Sequence, residues 1–321
     1  MAKSSSVLDL LLKCNVPFEQ DVPLSKKTWI KTGGACAYWI IPNSVQQLKD
    51  VCSYLYQNNI TFDLVGQTSN IFFHSTYNPH IVVSTVKVNQ YEIKDDIITC
   101  DCGVSVIKLA KDCISKGYAG FSGLVGLPGT VASAIVNNAG CFNCSISSML
   151  KSADVLFPNG TIRTLSKDDF HYTHRSSVFK RGELKGIILS VRLKAEKAEN
   201  KEEEFKKAEA STNYRKNKQE GYQRNLGSVF ASRKMKKNAK NIISVGLSRI
   251  ISLFRIMPLR KAQKLLLLNL YGYQDIIPYV SDRNVNTFVW RDEGAEQMFA
   301  IYKEFIGKVF DDAVLEIEER F

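Results

Sequence analysis

Five glycines spaced three residues apart, from Gly117 to Gly129, constrain the fold of this chain more than any other feature. They lie in the stretch GYAGFSGLVGLPGTVASAIVNNAG, which ends at Gly140. A period of three is typical of collagen only when it continues over many repeats with Pro-rich neighbours, and here it stops. Because only glycine lacks a Cβ that would obstruct a close neighbour, the stretch predicts a loop whose backbone approaches something closely.

Around this stretch, strand-like and helix-like patterns alternate. Ser44 predicts the N-cap of a helix whose apolar face is Leu48, Val51, Cys52 and Leu55. A second helix is predicted at Ser105–Lys116, and Pro-Asn-Gly predicts a hairpin turn between two strands. The predicted strands are Tyr38–Ile41, Thr61–Val65, Ile81–Val86, Ile97–Cys102, Asp154–Phe157, Thr161–Leu165, Gly186–Leu193 and Ala313–Ile317, and the later helices are Lys194–Ala210 and Gly294–Val309. This order favours an α/β or α+β arrangement over an all-β one.

Composition excludes disorder and locates the charge. The 321 residues are 45% hydrophobic and 23% charged, which permits a sizeable core and favours two or three units. The net charge of +11 arises in one segment, since eleven Lys and Arg but no Asp or Glu lie between Gly221 and Gln274. No recognised nucleic-acid reader accompanies this segment, so nucleic-acid binding is disfavoured.

The eight cysteines and the N-terminal sequence predict a reduced, cytoplasmic protein. The first apolar run is short and is interrupted by Asp9, unlike a signal peptide or a membrane span. The close pairs Cys100/Cys102 and Cys141/Cys144 match the spacing of a zinc site poorly. We expect no metal and interpret these thiols as small buried side chains.

Two polar loops are candidates for holding phosphate. One follows a predicted strand as Gly66-Gln67-Thr68-Ser69-Asn70-Ile71, and the other is Gly126-Leu127-Pro128-Gly129-Thr130. Such turns direct several N–H groups and hydroxyls toward one point, which suits a pyrophosphate. Neither G-x-G-x-x-G nor G-x-x-x-x-G-K-[ST] occurs, so Rossmann and P-loop sites are unsupported. Ordinary polar turns remain an equally good interpretation of the two loops by physical reasoning alone.

Three motifs together resemble the FAD-binding half of the UDP-N-acetylenolpyruvoylglucosamine reductase family, whose fold is of the p-cresol methylhydroxylase/vanillyl-alcohol oxidase type. They read KTGGACAYWIIP, VGQTSNIFF and GLVGLPGTVASAIVNNAGCF. Departures from the family pattern are Lys27 for Asn, Thr68 for Gly, and Ala132-Ser133 for Gly-Gly. The resemblance implies that FAD is held by Gly66, Gln67, Thr68, Ser69, Asn70, Ile71, Gly126, Pro128, Gly129, Thr130, Ser133, Asn138 and Gly140.

The same resemblance implies three catalytic residues. Reduction of a double bond conjugated to a carboxylate needs a hydride donor, a cation that holds the developing charge, and an acid. Arg175 in His174-Arg175-Ser176-Ser177-Val178-Phe179 matches the family's cation, Ser228 in Gly227-Ser228-Val229-Phe230 its proton donor, and Glu318 its terminal carboxylate. Arg215, Lys218 and Asn286 match substrate-binding positions. Without the resemblance, Arg175 is read as a surface ion-pair residue, Ser228 as a loop serine and Glu318 as part of a solvated tail.

Residues 232–258 are an insertion relative to the family pattern. The insertion combines an apolar face with the cations Lys240, Arg249 and Arg255. We weigh three interpretations: a lid over a polyanionic substrate, a helix lying on anionic lipid, and a helix packed on its own domain or on another subunit. Beyond the insertion, Leu265–Leu268 replace a Gln that contacts substrate, and Ile276-Ile277 replace Gly-Gly.

These inferences define one expectation. The fold is α+β, with FAD-binding lobes at 1–86 (to which 312–321 return) and 87–199, and a substrate domain at 200–311. The chain, of the family's compact subclass, would use FAD and NADPH to reduce the enolpyruvyl ether of a UDP-sugar. It would act in the cytoplasm as a monomer or a weak dimer, with a peripheral membrane or subunit contact through 232–258 left open. The alternatives are a paralogue acting on another sugar nucleotide and a non-catalytic membrane-surface or partner-binding scaffold.

Overall fold

The computed structural model describes residues 2–321 except 143, 222, 223 and 293; the side chains of 2–6, 232 and 233 are also outside the description. It divides into two compact units. The first comprises Met1–Lys27, Gly34–Thr68 and Tyr77–Asn213, and the second comprises Thr28–Gly33, Ser69–Thr76 and Tyr214–Phe321.

Helices and strands both occur throughout the chain, which confirms the α+β class. The helices are α1 Ala2–Lys13, α2 Val45–Gln57, α3 Val106–Ser115, α4 Val131–Val136, α5 Ile146–Met149, α6 Lys201–Lys218, α7 Ala239–Leu253, α8 Leu259–Tyr271 and α9 Ala295–Val309. The strands are β1 Phe18–Pro23, β2 Ala35–Ile40, β3 Asp63–Val65, β4 Ile71–Phe73, β5 Ile81–Ser84, β6 Tyr91–Lys94, β7 Ile97–Asp101, β8 Gly140–Cys141, β9 Cys144–Ser145, β10 Leu150–Leu156, β11 Ile162–Ser166, β12 Ile187–Lys194, β13 Phe230–Met235, β14 Phe310–Leu315 and β15 Glu318–Arg320.

The first unit contains a four-stranded sheet of order β1-β2-β5-β3. β1 is antiparallel to β2, whereas β2, β5 and β3 are parallel, as expected when a helix connects successive strands. That helix is α2, and its N-cap is Ser44, whose hydroxyl accepts a hydrogen bond from the nitrogen of Gln47. The buried face of α2 consists of the predicted residues Leu48, Val51, Cys52 and Leu55. The capped, amphipathic helix is therefore confirmed.

A five-stranded antiparallel sheet of order β11-β10-β12-β7-β6 completes the first unit. β10 and β11 pair across the predicted Pro-Asn-Gly turn, where Gly160 has a φ of 81°. α3 packs a face of Val106, Leu109, Ala110 and Cys113 into the core of this sheet, at the i, i+3, i+4, i+7 spacing of a helix.

The second unit has its own aromatic core. Phe72, Phe288, Trp290, Phe299 and Tyr302 are buried together, with ring centroids about 5–6 Å apart. Two strand pairs surround it: β13 is antiparallel to β14, and β15 is parallel to β4. The last strand of the chain thereby lies against the strand that begins at Ile71.

Three element predictions need correction. The helix predicted at Lys194–Ala210 begins at Lys201 and continues to Lys218, because β12 extends through Lys194 and the carboxamide of Asn200 accepts from the nitrogens of Glu202 and Glu203. The strand predicted at Ala313–Ile317 is two strands, β14 and β15. The insertion is helical only in α7, and its first residues extend β13.

The division of the chain at 86, 199 and 311 remains a prediction. In the structure, most of the two predicted lobes falls in the first unit, while 28–33 and 69–76 belong with the C-terminal residues. None of the helices described is long and apolar enough to cross a membrane.

Candidate active site

Two polar loops of the first unit contact each other. The side-chain oxygen Oε1 of Gln67 accepts a hydrogen bond from the main-chain nitrogen of Gly129, 3.0 Å away. A Cβ on Gly66 would lie 2.8 Å from Oγ1 of Thr130, closer than such atoms approach, so this position requires glycine. The loops at 66–68 and 126–130 therefore form one structure, which we call the cradle.

The cradle has an unusual backbone at three positions. Gly126 and Gly129 have φ values of 82° and 125°, and Thr68, a β-branched residue, has a φ of 55°. Such a conformation is uncommon outside glycine, and strained residues cluster at functional sites. Thr68 is also buried. Thr68 therefore adopts a glycine-like backbone conformation at the position where the family pattern has glycine.

The cradle runs directly into α4, whose first turn is closed by a capping box. Oγ1 of Thr130 accepts from the nitrogen of Ser133, and Oγ of Ser133 accepts from the nitrogen of Thr130. Ala132 is half-buried and packs against both cores of the first unit. Ala132 and Ser133, which replace the family's Gly-Gly, therefore have structural roles: Ala132 packs against the cores and Ser133 caps α4. The spacing of Thr130 and Ser133 could have indicated the cap.

At its other end, α4 leads to two asparagines with different surroundings. Asn137 donates from Nδ2 to the carbonyl of Ser133, but its Oδ1 is buried and accepts no hydrogen bond among the described residues. Asn138 has a φ of 45°, and its Nδ2 donates to the carbonyl oxygen of Thr173, 2.7 Å away. Asn138 thus ties the end of α4 to the segment that carries Arg175.

Arg175 lies in a tight turn of the first unit. Thr173 and Ser176 exchange main-chain hydrogen bonds of 3.1 and 3.2 Å, and Arg175 between them has a φ of 55°. The hydroxyl of Ser177, which is fully buried, donates to the carbonyl of Val136 at 2.6 Å. The turn is therefore held to the end of α4 on both sides, and Arg175 is half-buried.

Close approach also explains Gly123 and Gly140. A Cβ on Gly123 would lie 2.3 Å from the carbonyl oxygen of Cys141, and one on Gly140 would lie 2.3 Å from that of Cys144. For Gly123, the close neighbour predicted from the spacing is the hairpin β8–β9 of the protein itself, and Gly140 permits the close pairing of the two strands within that hairpin. Among the described residues, no cluster of three or more His, Cys, Asp or Glu could hold a metal ion.

The buried cysteines are not poised for chemistry. Cys100 and Cys102 lie in the core of the first unit. Burial raises the pKa of the Cys102 thiol to about 12, so it stays protonated and is a poor nucleophile or metal ligand.

In the second unit, Ser228 follows a turn built by Asn225. Oδ1 of Asn225 accepts from the nitrogen of Gly227, which has a φ of 73°, and its carbonyl accepts from Nε1 of Trp29. Ser228 itself is exposed, whereas Val229 is fully buried. The turn thus presents the hydroxyl of Ser228 at the surface of this unit immediately before a buried anchor.

Asn286 supports this loop from within. Its Nδ2 donates to the carbonyl of Phe230 at 2.9 Å, and its Oδ1 accepts from the nitrogen of Phe230 at 3.1 Å. Asn286 is 0% exposed. Both ends of its side chain are therefore used inside the protein, and its place is under the Ser228 loop rather than at a surface that a substrate could reach.

Glu318 begins β15 and contacts the loop that the sequence singled out. Its nitrogen donates to the carbonyl oxygen of Asn70 at 2.9 Å, and Nδ2 of Asn70 donates to the carbonyl of Glu316 at 3.2 Å. The nitrogen of Glu316 in turn donates to the carbonyl of Val229. The carboxylate of Glu318 pairs with Arg320 at 3.0 Å. Glu318 is therefore part of a paired strand, and the solvated-tail interpretation is wrong.

The next residue, Glu319, has partners that the sequence did not reveal. Its carboxylate is almost completely buried and contacts Nε2 of His74 at 2.9 Å and Nζ of Lys303 at 2.8 Å. Nδ1 of His74 contacts Glu296 at 2.8 Å. Because the ammonium of Lys303 and the ring of His74 both contact its carboxylate, a glutamate is accommodated where the resemblance expects valine.

Arg215 and Lys218 lie in the last turn of α6. Nη1 of Arg215 donates to the side chain of Gln219, and Lys218 is exposed. The carbonyls at this helix end accept hydrogen bonds from Arg260 and Arg283, as cations at a helix C-terminus should. Part of the basic segment's charge therefore holds the end of α6.

The run of leucines in α8 belongs to the core of the second unit. Leu267, Leu268 and Ile276 are fully buried, and their side chains carry no polar group that could bind a substrate. The ammonium of Lys264 is also buried, and it donates to the carbonyls of Ile277 and Val280 and to Asp282. Hydrogen bonds from lysine hold the pKa of the Asp282 carboxyl below its usual range, although burial alone would raise it.

Taken by unit, the structure groups the predicted residues as follows. In the first unit it brings together the cradle, Ser133, Asn138, Gly140 and the Arg175 turn. In the second unit it brings together the segments of Ser228, Glu318, Asn286, and Ser69–Ile71, while Arg215 and Lys218 lie at the end of α6. The sequence missed Asn137 and His74, and the only signal for them was their position beside the recognised motifs.

The cradle residues fit a flavin dinucleotide. Gly66 lets the loop at 66–68 approach Thr130 closely, Gly129 adopts a φ of 125°, and Thr130 opens a capped helix. The buried Oδ1 of Asn137 is an acceptor without a partner among the described residues, as expected beside a site for a group that carries N–H donors. In the first unit, the residues that would hold the group are those of the cradle, with Ser133, Asn138 and Gly140. The part expected of Ser69, Asn70 and Ile71, which lie in the second unit, stays a prediction.

Comparison with known proteins first defines the class. Residues 36–166 match the FAD binding domain family, a span that contains the cradle, α4 and both sheets in part. The chain is an FAD-containing oxidoreductase with this domain, and the predicted FAD cofactor and fold are confirmed.

The particular family follows from the relatives. Over 209 residues the chain is 30% identical to UDP-N-acetylenolpyruvoylglucosamine reductase of Bacillus velezensis, covering 65% of this chain and 68% of that protein. Over 213 residues it is 30% identical to UDP-N-acetylenolpyruvoylglucosamine reductase 2 of Bacillus cereus, covering 66% and 68%. The crystal structure of the Thermus caldophilus reductase superposes with a TM-score of 0.65 at 19% identity, over 95% of this chain and 99% of that one, which shows the shared fold. This chain belongs to the UDP-N-acetylenolpyruvoylglucosamine reductase family.

Proposed function

We propose that this chain reduces the enolpyruvyl ether of UDP-N-acetylglucosamine enolpyruvate to UDP-N-acetylmuramate, a peptidoglycan precursor. The hydrogen-bonded arrangement of Val229, Glu316 and Asn70 carries the proposal, because it sets the Ser228 and Glu318 segments side by side in the order the family requires. The enzyme acts in the cytoplasm as a monomer or a weak dimer.

A bound FAD, held by the cradle with Ser133, Asn138 and Gly140 and reduced by NADPH, would supply the hydride chemistry for the β-carbon of the double bond. The guanidinium of Arg175 grips the substrate carboxylate through two hydrogen bonds and stabilises the negative charge that develops there. Asn138 and Ser177 fix the main chain of its turn, so that the position of its Cα is set before substrate binds. Arg175 therefore lowers the barrier more for the charged transition state than for the substrate.

Ser228 donates the proton to the α-carbon, so that the double bond gains one hydride and one proton. A serine hydroxyl is a weak acid, and it needs a fixed orientation and a favourable field. The buried Val229 and the Asn286 side chain provide the orientation from one side, and the Asn225 turn provides it from the other. Glu318 is the electrostatic partner of this step.

The substrate also carries a diphosphate, which needs cations. Arg215 and Lys218, at the end of α6, take this role in our proposal. Asn286 does not contact substrate in it, because the side chain is fully buried and hydrogen-bonded to Phe230 at both ends.

A second candidate is a paralogous reductase for a different sugar nucleotide. It is favoured by α8, where Leu267 and Leu268 are core residues in the region of the family's substrate-contacting Gln. A pocket without that polar group discriminates substrates differently.

Rapid-mixing absorbance measurements distinguish the proposed function from the second candidate. The holoenzyme is mixed with NADPH, and the loss of flavin absorbance is followed; UDP-N-acetylglucosamine enolpyruvate is then added, and the return of absorbance is followed. Reoxidation at a rate comparable with reduction supports the proposal. Reduction without reoxidation by this substrate overturns it in favour of the paralogue. UDP-N-acetylglucosamine, which lacks the enolpyruvyl group, is the control and should leave the flavin reduced.

A further inference from the structure

α7, the helix of the insertion, packs its polar side on the protein and exposes its apolar side. Helices on a protein surface normally bury their apolar face and expose their polar one. The buried residues of α7 are Asn241, Ser244 and Ser248. The side that packs on the protein is therefore the polar side.

This polar side is firmly attached to the second unit. Nδ2 of Asn241 donates to the carbonyls of Lys236 and Val309 at 2.8 and 2.9 Å, and its Oδ1 lies 3.0 Å from the hydroxyl of Tyr271 on α8. The hydroxyls of Ser244 and Ser248 bond to carbonyls of their own helix. The orientation of α7 is thus set by satisfied hydrogen bonds, and a rotation that buried the apolar side would break them.

The opposite side of α7 is a continuous apolar face. Leu253, Phe254 and Ile256 at its end are 79%, 72% and 70% exposed. The exposed apolar side chains, which we call the apolar face, are those of Ile242, Ile243, Leu247, Ile250, Leu253, Phe254 and Ile256. Exposed patches of this kind mark sites of interaction with proteins or membranes.

Cations border the apolar face. At about 100° per residue, Lys240 and Arg249 fall on its two edges, and Arg255 lies between Phe254 and Ile256 at its end. No Asp or Glu occurs between Gly221 and Gln274. Lysine and arginine at the edge of an apolar face can extend their charged ends toward phosphates while their stems stay in apolar surroundings.

A concave space lies beside the start of α7. It has a volume of about 520 Å³ and is lined by Asn238, Lys240, Tyr271, Tyr273 and Lys308. Lys240 and Lys308 are the cations of this lining, whereas the hydroxyls of Tyr271 and Tyr273 are already hydrogen-bonded to Asn241 and Glu304. The space therefore extends the basic edge of the apolar face.

We propose that the apolar face of α7 docks on the surface of an anionic lipid membrane. The helix is 15 residues long, about 22 Å, which is too short to cross a bilayer but suits a helix lying in its interface. A second copy of the chain is a poorer occupant, since a two-fold contact would bring the cations of one helix toward those of the other. The inference concerns where the enzyme works and does not depend on its substrate.

Cosedimentation with vesicles tests the proposal. The full chain should bind vesicles containing phosphatidylglycerol, release them as salt is raised, and bind phosphatidylcholine vesicles far less. Lys240→Gln with Arg249→Gln should weaken binding about 30-fold, from about 1 kcal/mol per cation. Ile250→Ser with Leu253→Ser should weaken it at least about tenfold. Matched controls are Lys111→Gln with Lys151→Gln, and Ile162→Ser with Phe205→Ser, which alter exposed residues of the first unit and should change binding less than about twofold.

Two results would overturn the inference. One is the absence of binding to anionic vesicles. The other is a dimer in solution that Leu253→Ser dissociates while vesicle binding persists unchanged, which would assign the apolar face to a second copy. A depth measurement adds an independent readout: the tryptophan of Phe254→Trp should be quenched by brominated lipid, and that of Ile162→Trp should not.

Discussion

The nitrogen of Glu318 donates a hydrogen bond to the carbonyl oxygen of Asn70, 2.9 Å away. These residues are 248 positions apart in the sequence, yet each belongs to a motif that sequence reasoning had singled out for a different reason. Because Asn70 also bonds to Glu316, and Glu316 to Val229, three candidate segments of the second unit share one hydrogen-bonded framework. The carboxylate and the serine are thus placed by main-chain contacts rather than by their own side chains.

Gly66→Ala should weaken FAD binding at least about tenfold. The new methyl group would stand 2.8 Å from Oγ1 of Thr130, so the two loops of the cradle would have to separate. The ratio of flavin to protein after dialysis measures the effect. Gly307→Ala is the control, because a Cβ there meets nothing within 4 Å; it should retain flavin and be slightly more stable. Full flavin retention by Gly66→Ala would contradict the assignment of the cradle.

Arg175→Lys should slow flavin reoxidation by substrate about 100-fold and leave reduction by NADPH unchanged. Lysine keeps the charge but loses the two-point contact with a carboxylate. Rapid-mixing absorbance measurements of each half-reaction check this. Arg181→Lys, which alters the exposed pair with Glu183 on a nearby turn, should keep both rates. Equal slowing of both half-reactions in Arg175→Lys would argue for a structural role.

Asn286→Ala should lower the free energy of unfolding by about 2–4 kcal/mol. The change leaves both main-chain groups of the buried Phe230 without their present partners. Urea unfolding measures the loss. Asn217→Ala, at an exposed position of α6, should change stability by less than about 0.7 kcal/mol. A loss below that size in Asn286→Ala would mean that the side chain does not support the Ser228 loop.

Glu296 should make the protein sensitive to acid. Burial alone would raise the pKa of its carboxyl, but hydrogen bonds from Ser75 and His74 outweigh it and hold the pKa below the usual value of 4.5. A lowered folded-state pKa contributes stability above the unfolded pKa, and this stability is lost as pH falls through the folded value. Urea midpoints should therefore fall between about pH 5 and about pH 3 less steeply in Glu296→Gln than in the wild type. Glu209→Gln, an exposed control, should follow the wild type; an unchanged slope in Glu296→Gln would refute the assignment.

Local patterns predicted much of the fold. Ser44, the Pro-Asn-Gly turn and the spacing in α3 each act through neighbours within a few residues, so their outcomes could be read from the chain. The start of α6 was misplaced because the cap at Asn200 lies between two segments of similar charge. The fold and the family were predicted from three sequence motifs together, not from the periodicity of apolar residues.

Long-range pairing could not be predicted. The burial of Glu319 depends on His74 and Lys303, which come from distant parts of the chain. The direction in which α7 faces was equally inaccessible: its periodicity indicated an amphipathic helix, but only the contacts of Asn241 show that the polar side packs inward. The third interpretation was a helix packed on its own domain or on another subunit. Packing of the apolar side on its own domain is wrong, because Leu253 and Phe254 are exposed, whereas packing on another subunit stays a prediction.

The central claim, that this chain's own serine completes the reduction of an enolpyruvyl ether, is tested most directly by Ser228→Ala. Flavin reduction by NADPH should keep the wild-type rate, and reoxidation by UDP-N-acetylglucosamine enolpyruvate should slow about a thousandfold, because only the second half-reaction needs the proton. Ser115→Ala, at an exposed position, is the control and should keep both rates. If Ser228→Ala also keeps both rates, the serine is not the proton donor and the account of the site is wrong.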